Sequence, residues 1–124
     1  VVSVHVPLTE ETRGAVDAAA LARLPEGAIL VNTARGEVLD QDALADALAD
    51  GPLAGAGLDT FAAEPPDLDH PPFDRATVVC SPHVAGVTDE AKAAMSRRAA
   101  ANVRTVYEGG VPESAVNPAV LDRD

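Results

Sequence analysis

The sequence predicts an α/β domain built on a parallel sheet, and three runs of residues carry that prediction. Leu30-Val31-Asn32-Thr33-Ala34-Arg35-Gly36 is an apolar run that stops at a cation. Gly57-Leu58-Asp59-Thr60-Phe61 leads to Glu64-Pro65, and Val78-Val79-Cys80-Ser81-Pro82 leads to His83. These runs alternate with helical stretches, the pattern of βα units whose strands lie parallel. Neighbouring parallel strands would bring Arg35, Asp59, Glu64 and His83 to one sheet edge, where open α/β sheets collect ligands.

Each element follows from its residues. Val1 to Val6 is rich in β-branched residues and reads as the first strand; Pro7 stops it because proline cannot donate to a ladder. Residues 9–14 form a polar turn. Asp17 can cap a short helix reaching about Leu24, which Pro25-Glu26-Gly27 ends. Ala28 to Thr33 is the second strand. Asp40 caps a clearer helix on which Leu44 and Leu48 share a face, and Gly51-Pro52 closes it. Ala56 to Phe61 is the third strand, with Gly55 and Gly57 as small residues that permit close backbone approach. Residues 62–75 are a loop with four prolines, and Thr77 to Ser81 is the fourth strand. Thr88 starts the longest helix, which ends at Gly109-Gly110 and carries Met95, Ala99, Val103 and Val106 on one face.

The bulk properties narrow the function classes. The 124 residues suffice for one domain with a modest core. Aromatics are 2% of the chain, so the interior should consist of small side chains and close packing. A net charge of -11 argues against a nucleic-acid surface. No apolar run approaches the ~20 residues of a membrane span. The single cysteine, Cys80, lies in an apolar run and reads as a small buried residue of a cytoplasmic, reducing compartment. The chain opens without Met on a mid-strand pattern, as if cut from something longer, while Asn117-Pro118-Ala119-Val120-Leu121 resembles a natural tail. An apolar first strand without protecting lysines and an apolar helix stripe predict association, most simply as a homodimer.

Taken singly, the candidate residues have ordinary readings: Arg35 as a surface cation, Glu64 as a solvated carboxylate, His83 as a structural histidine. Together they suit one reaction. Arg35 can grip a carboxylate through two parallel bonds and polarise an adjacent carbonyl. Glu64 can hold the imidazole tautomer of His83 and favour its charged form. His83 can then give a proton to a carbonyl oxygen while a hydride reaches the carbon. His5 reads as structural within its strand, and His70 as exposed. Asp40, Asp42, Asp46 and Asp50 read as a solvated helix face rather than a metal site. Ser81 lies too close to His83 in sequence to imply a hydrolase triad.

These motifs, in this order, resemble the C-terminal part of the D-isomer-specific 2-hydroxyacid dehydrogenases. The matching residues are His5-Val6-Pro7-Leu8-Thr9, Gly27 through Gly36, Leu58-Asp59-Thr60-Phe61 with Glu64-Pro65, and Ser81-Pro82-His83-Val84-Ala85-Gly86. The resemblance implies the second half of a doubly wound parallel Rossmann-type sheet plus a C-terminal helix. Residues 1–87 would be the C-terminal half of the dinucleotide-binding domain. Residues 88–124 would be a helix and tail returning to a substrate domain that this chain lacks. It implies NAD as cofactor, with NADP open, and a small 2-oxo or 2-hydroxy acid as substrate. Arg35, Glu64 and His83 match the catalytic trio. Asp59 matches the acid that contacts the nicotinamide carboxamide, and Pro7, Thr33, Ala34, Arg35, His83 and Gly86 fall at the cofactor. The glycine-rich pyrophosphate loop would lie upstream, so the chain alone is expected to be inactive. The alternatives are a dinucleotide-sensing, corepressor-like member of the same family and an inactive fragment.

Overall fold

Four short strands run parallel in the spatial order β1-β2-β3-β4, each beside the next in sequence. The computed structural model describes residues 1–69 and 71–120. His70 and the expected tail from Leu121 onward lie outside the described residues. The chain divides into two units, Val1–Ala85 and Gly86–Asp124. The first holds β1 (Val2–Val4), α1 (Ala18–Leu21), β2 (Ala28–Asn32), α2 (Gln41–Ala49), β3 (Leu53–Leu58) and β4 (Val78–Cys80). The second holds α3 (Asp89–Tyr107) and a short 3-10 turn at Pro118–Val120. The sheet and helices are those of a Rossmann-like α/β domain.

The register explains why the strand ends matter. Val4 pairs with Asn32, Asn32 with Leu58, and Leu58 with Cys80. The four strands therefore finish flush, and the chain leaves each of them at the same level. Connections between parallel neighbours must cross over a face of the sheet. Here α1 and α2 belong to those crossovers. Leu21 of α1 and Ala43, Leu44 and Ala47 of α2 join Val4, Ala28, Leu30, Ala56 and Leu58 in one buried cluster. Four of those nine side chains are alanine, in keeping with the expected small-residue interior. Fully burying a leucine such as Leu30 or Leu44 contributes about 1.5–3 kcal/mol. Both helices are capped as the sequence suggests: Ala20 N donates to Asp17 Oδ1 at 2.8 Å, and Ala43 N donates to Asp40 Oδ1 at 3.0 Å.

Several boundaries differ from the sequence reading, each for a local reason. β3 starts at Leu53 and stops at Leu58, rather than running from Ala56 to Phe61. Leu53 already pairs with Ala28 despite the preceding Gly51-Pro52, and a register irregularity separates it from the rest of the ladder. β1 ends at Val4, so His5 lies beyond the strand, where its ring hydrogen-bonds the Ser3 hydroxyl at 2.8 Å. α1 is one turn long and ends before Leu24. Cys80 is exposed, not buried. Its strand is the last of the sheet and only three residues long, and its neighbour Val79 is 71% exposed.

In the second unit Thr88 caps α3, accepting from Ala91 N at 3.1 Å, and Gly109 ends it at φ +80°, a left-handed turn suited to glycine. No residue of α3 is buried, and Met95, Val103 and Val106 of the expected stripe are all exposed. Among the described residues no helix is long and apolar enough to cross a membrane.

Candidate active site

At the end of β2 the chain turns sharply, and a buried amide fixes the turn. Asn32 is fully buried; its Nδ2 donates to Arg35 O at 3.0 Å, and its Oδ1 accepts from Ala34 N at 3.0 Å. That pair of bonds ties down the backbone of the loop that presents Arg35. The next residue, Gly36, lies flat against the chain after β3. A Cβ built on Gly36 would overlap the Phe61 carbonyl and the Ala62 amide. Only glycine allows the two loops to come this close. The Arg35 guanidinium donates to Ala34 O at 2.6 Å and forms no ion pair with another described residue.

Beyond β3, Asp59 and Thr60 are buried, and Phe61 anchors the loop edge-on against Phe73, with ring centroids 5.5 Å apart. The loop then reaches Glu64, whose Oε1 accepts from Phe61 N at 3.2 Å. The Glu64–Pro65 peptide is cis. Thr60 Oγ1 is buried without a hydrogen-bond partner among the described residues.

After β4 the backbone reverses at His83, which adopts φ +55°, a left-handed conformation that non-glycine residues rarely take. Its Nδ1 lies 3.0 Å from Glu64 Oε2 and 3.1 Å from Oε1. The His83 bond, followed by the Phe61 amide, holds the Glu64 carboxyl below its ordinary value. Asp59 stands behind this turn. Its Oδ1 accepts from the Ser81 hydroxyl at 2.6 Å and from Val84 N at 2.8 Å, and its Oδ2 accepts from Ala85 N at 2.9 Å. Burial alone would raise the Asp59 carboxyl. The Ser81 hydroxyl, the two amides and the His83 charge outweigh burial and keep it below the ordinary value.

Arg35, Glu64 and His83 line one cavity of about 250 Å³ together with Gly36, Glu37, Thr60, Phe61 and Ala62. The structure thus brings the three predicted catalytic residues together from the ends of three strands. An adjoining groove of about 590 Å³ is lined by His5, Val6, Pro7, Leu8, Thr33, Ala34 and Arg35. Four of the predicted cofactor residues, Pro7, Thr33, Ala34 and Arg35, meet there. Asp59 sits behind the His83 turn rather than in the groove, and Gly86 begins the second unit. A third cavity, of about 330 Å³, is lined in part by Asp40, Asp42 and Asp67, which would repel an acid substrate. Sequence reasoning missed Asn32 and Ser81, and it placed His5 in the strand rather than in the groove. The only sequence signal for Asn32 was a polar residue at the end of an apolar strand.

Three comparisons with known proteins agree. Residues 1–85 match the family described as D-isomer specific 2-hydroxyacid dehydrogenase, NAD binding domain. The chain is 44% identical over 121 residues to a glyoxylate reductase of Thermofilum pendens, covering 98% of this chain and 36% of that protein. It superposes on D-lactate dehydrogenase with NAD+ from Lactobacillus jensenii with a TM-score of 0.82 and 29% identity, over 92% of this chain and 38% of that one. A D-isomer specific 2-hydroxyacid dehydrogenase from Xanthobacter autotrophicus Py2, in complex with NADPH and MES, gives a TM-score of 0.74 and 38% identity, over 96% of this chain and 48% of that one. The chain thus spans about a third of the length of the glyoxylate reductase it matches.

Proposed function

The chain belongs to the D-isomer specific 2-hydroxyacid dehydrogenase family, whose NAD-binding domain its first 85 residues match, and from that premise we propose that it is part of an NAD(P)-dependent oxidoreductase interconverting a D-2-hydroxy acid and a 2-oxo acid. The observation that carries the proposal is the single cavity shared by Arg35, Glu64 and His83. In this reading residues 1–87 complete a dinucleotide domain begun upstream, and residues 88–124 return to a substrate domain.

The residues present fit a dinucleotide. The groove beside Arg35 has small walls at Pro7 and Ala34, and its exposed Thr33 offers polar atoms. Pro7, Thr33, Ala34 and Arg35 would hold the dinucleotide, whose chemistry would be to give a hydride in reduction or accept one in oxidation. Arg35, with no carboxylate partner among the described residues, binds the substrate carboxylate and draws electron density from the neighbouring carbonyl. Glu64 engages Nδ1 of His83 and leaves Nε2 for the substrate. His83 delivers a proton to the carbonyl oxygen in reduction and takes it from the hydroxyl in oxidation. Asp59 completes the cofactor side in this assignment.

The full-length protein should oxidise NADH or NADPH in the presence of a small 2-oxo acid such as glyoxylate. The isolated 124-residue chain should show no turnover in the same assay, because its sequence contains no glycine-rich pyrophosphate loop. Arg35→Lys keeps the charge but loses the planar fork, so catalytic efficiency should fall at least tenfold, about 1.4 kcal/mol. Efficiency within about twofold of wild type would remove Arg35 from the site.

We also propose that this chain associates as a homodimer. The support is the exposed apolar stripe of Met95, Val103 and Val106 on α3, an arrangement that favours association. Light scattering on the 124-residue chain checks this. A monomer at high concentration rules it out.

A further inference from the structure

Asp59 is the buried charged side chain of the site, at 3% exposure, and all three of its hydrogen bonds go to the segment that carries His83. We propose that Asp59 and Ser81 are positioning residues for His83, a clamp that acts on its backbone and not on the reacting atoms. The clamp rests on the reading of His83 as the acid–base group.

The geometry closes on His83 from both sides. On the approach, Ser81 is held at three points. Its amide donates to Leu58 O at 2.9 Å, its hydroxyl donates to Asp59 at 2.6 Å, and its carbonyl accepts from His83 N at 3.0 Å. On the departure, the amides of Val84 and Ala85 donate to the same carboxylate. His83 sits between these anchors in the left-handed region, which a β-carbon disfavours. Such a conformation persists where the surroundings over-determine it. Short hydrogen bonds from a hydroxyl and two amides to one buried carboxylate are of the strong, charge-assisted kind. Release of the clamp lets the turn relax toward an ordinary conformation and carries the imidazole away from Glu64. The Glu64–His83 contact is therefore held from behind the ring as well as by its own partner.

Ser81 is the better handle for a test than Asp59. Asp59 Oδ2 accepts a single amide and keeps capacity for a second donor, so Asp59 can serve the cofactor as well. Ser81 lines neither the catalytic cavity nor the groove beside it. It is half-buried, so a threonine methyl can be added there.

The experiment compares Ser81→Ala, Ser81→Thr and His83→Ala in the full-length protein, by steady-state kinetics and by nitrogen-15 spectra of the His83 imidazole. For Ser81→Ala, kcat should fall about tenfold while KM for NADH changes less than about twofold, as expected when positioning rather than cofactor binding is lost. The Nδ1 signal of the hydrogen bond to Glu64 should weaken in the same variant. Ser81→Thr, which keeps the hydroxyl, should restore kcat to within about threefold and recover the signal. An unchanged kcat, an unchanged Nδ1 signal, a loss confined to KM, or no recovery in Ser81→Thr would each overturn the clamp. Wild-type turnover in His83→Ala would instead overturn the acid–base reading, and the Nδ1 signal would still decide whether the clamp holds the ring.

Discussion

Replacing His83 with alanine in the full-length protein should lower turnover by roughly 10²–10⁴-fold, the range for a lost general acid–base group. On the proposed assignment substrate and cofactor should still bind, because Arg35 and the groove beside it are untouched. KM should therefore change far less than kcat. The same substitution has a second readout that needs no substrate. The His83 bond is the leading cause of the low Glu64 carboxyl, so Glu64 should rise toward its ordinary value of 4.5 in the variant. Carbon-13 spectra of the Glu64 carboxyl across a pH series measure this. The sign follows from linkage. A depressed carboxyl contributes stability above its ordinary value and loses it as pH falls through the depressed one. In the wild type the Glu64–His83 contact should thus be intact above pH 4.5 and disappear on further acidification. Unaltered turnover, or an unmoved Glu64 titration, would contradict the pairing.

Gly36→Ala should be the most damaging of the single-methyl additions. The new Cβ would occupy the position of the Phe61 carbonyl and the Ala62 amide, which are backbone and cannot rotate aside. Overpacking of this kind costs about 1–3 kcal/mol or more. The strain also separates the loop holding Arg35 from the loop holding Glu64. A displacement of about 1 Å at a reacting group can cost ~10²-fold in rate. Gly57→Ala is the control: its Cβ would meet only the Val31 methyls, at 3.8 and 4.0 Å, an ordinary contact. Urea unfolding and turnover of the two variants give the comparison. If Gly36→Ala lies within about 0.5 kcal/mol of wild type and keeps its turnover, the close approach has no structural importance.

The sequence made the gathering of the three candidate residues in one cavity legible for a simple reason. Arg35, Glu64 and His83 follow apolar runs, and parallel neighbouring strands must deliver their ends to one edge. The residues that hold them were not legible. Ser81 is one serine among the small polar residues at a strand end, and its meaning depends on Asp59, 22 residues earlier. Asn32 looks like any strand terminus until its amide is seen to close the Arg35 turn. Errors clustered where tertiary placement overrides local pattern. Val78-Val79-Cys80 reads as a buried strand, yet it borders the sheet and Cys80 is exposed. Asp59-Thr60-Phe61 extends an apolar run, yet the backbone leaves the ladder after Leu58. The Asp59 side chain is engaged by the segment after β4.

The two contacts across the β3–β4 crossover close overlapping rings in the polymer sense. Asp59 and Ser81 are 22 residues apart, and Glu64 and His83, whose span overlaps the first and ends two residues beyond it, are 19 apart. Closing the first ring removes most of the chain entropy that the second would otherwise lose, so the two bonds form together more readily than either forms alone. The intervening length enters only logarithmically: doubling it would cost about 0.6 kcal/mol. That is less than the ~1.5–3 kcal/mol of one hydrogen bond to a charged group. The proline-rich stretch between Glu64 and β4 can therefore lengthen with little entropic consequence for the site, provided that Glu64 keeps its distance from Leu58 and His83 its distance from Cys80.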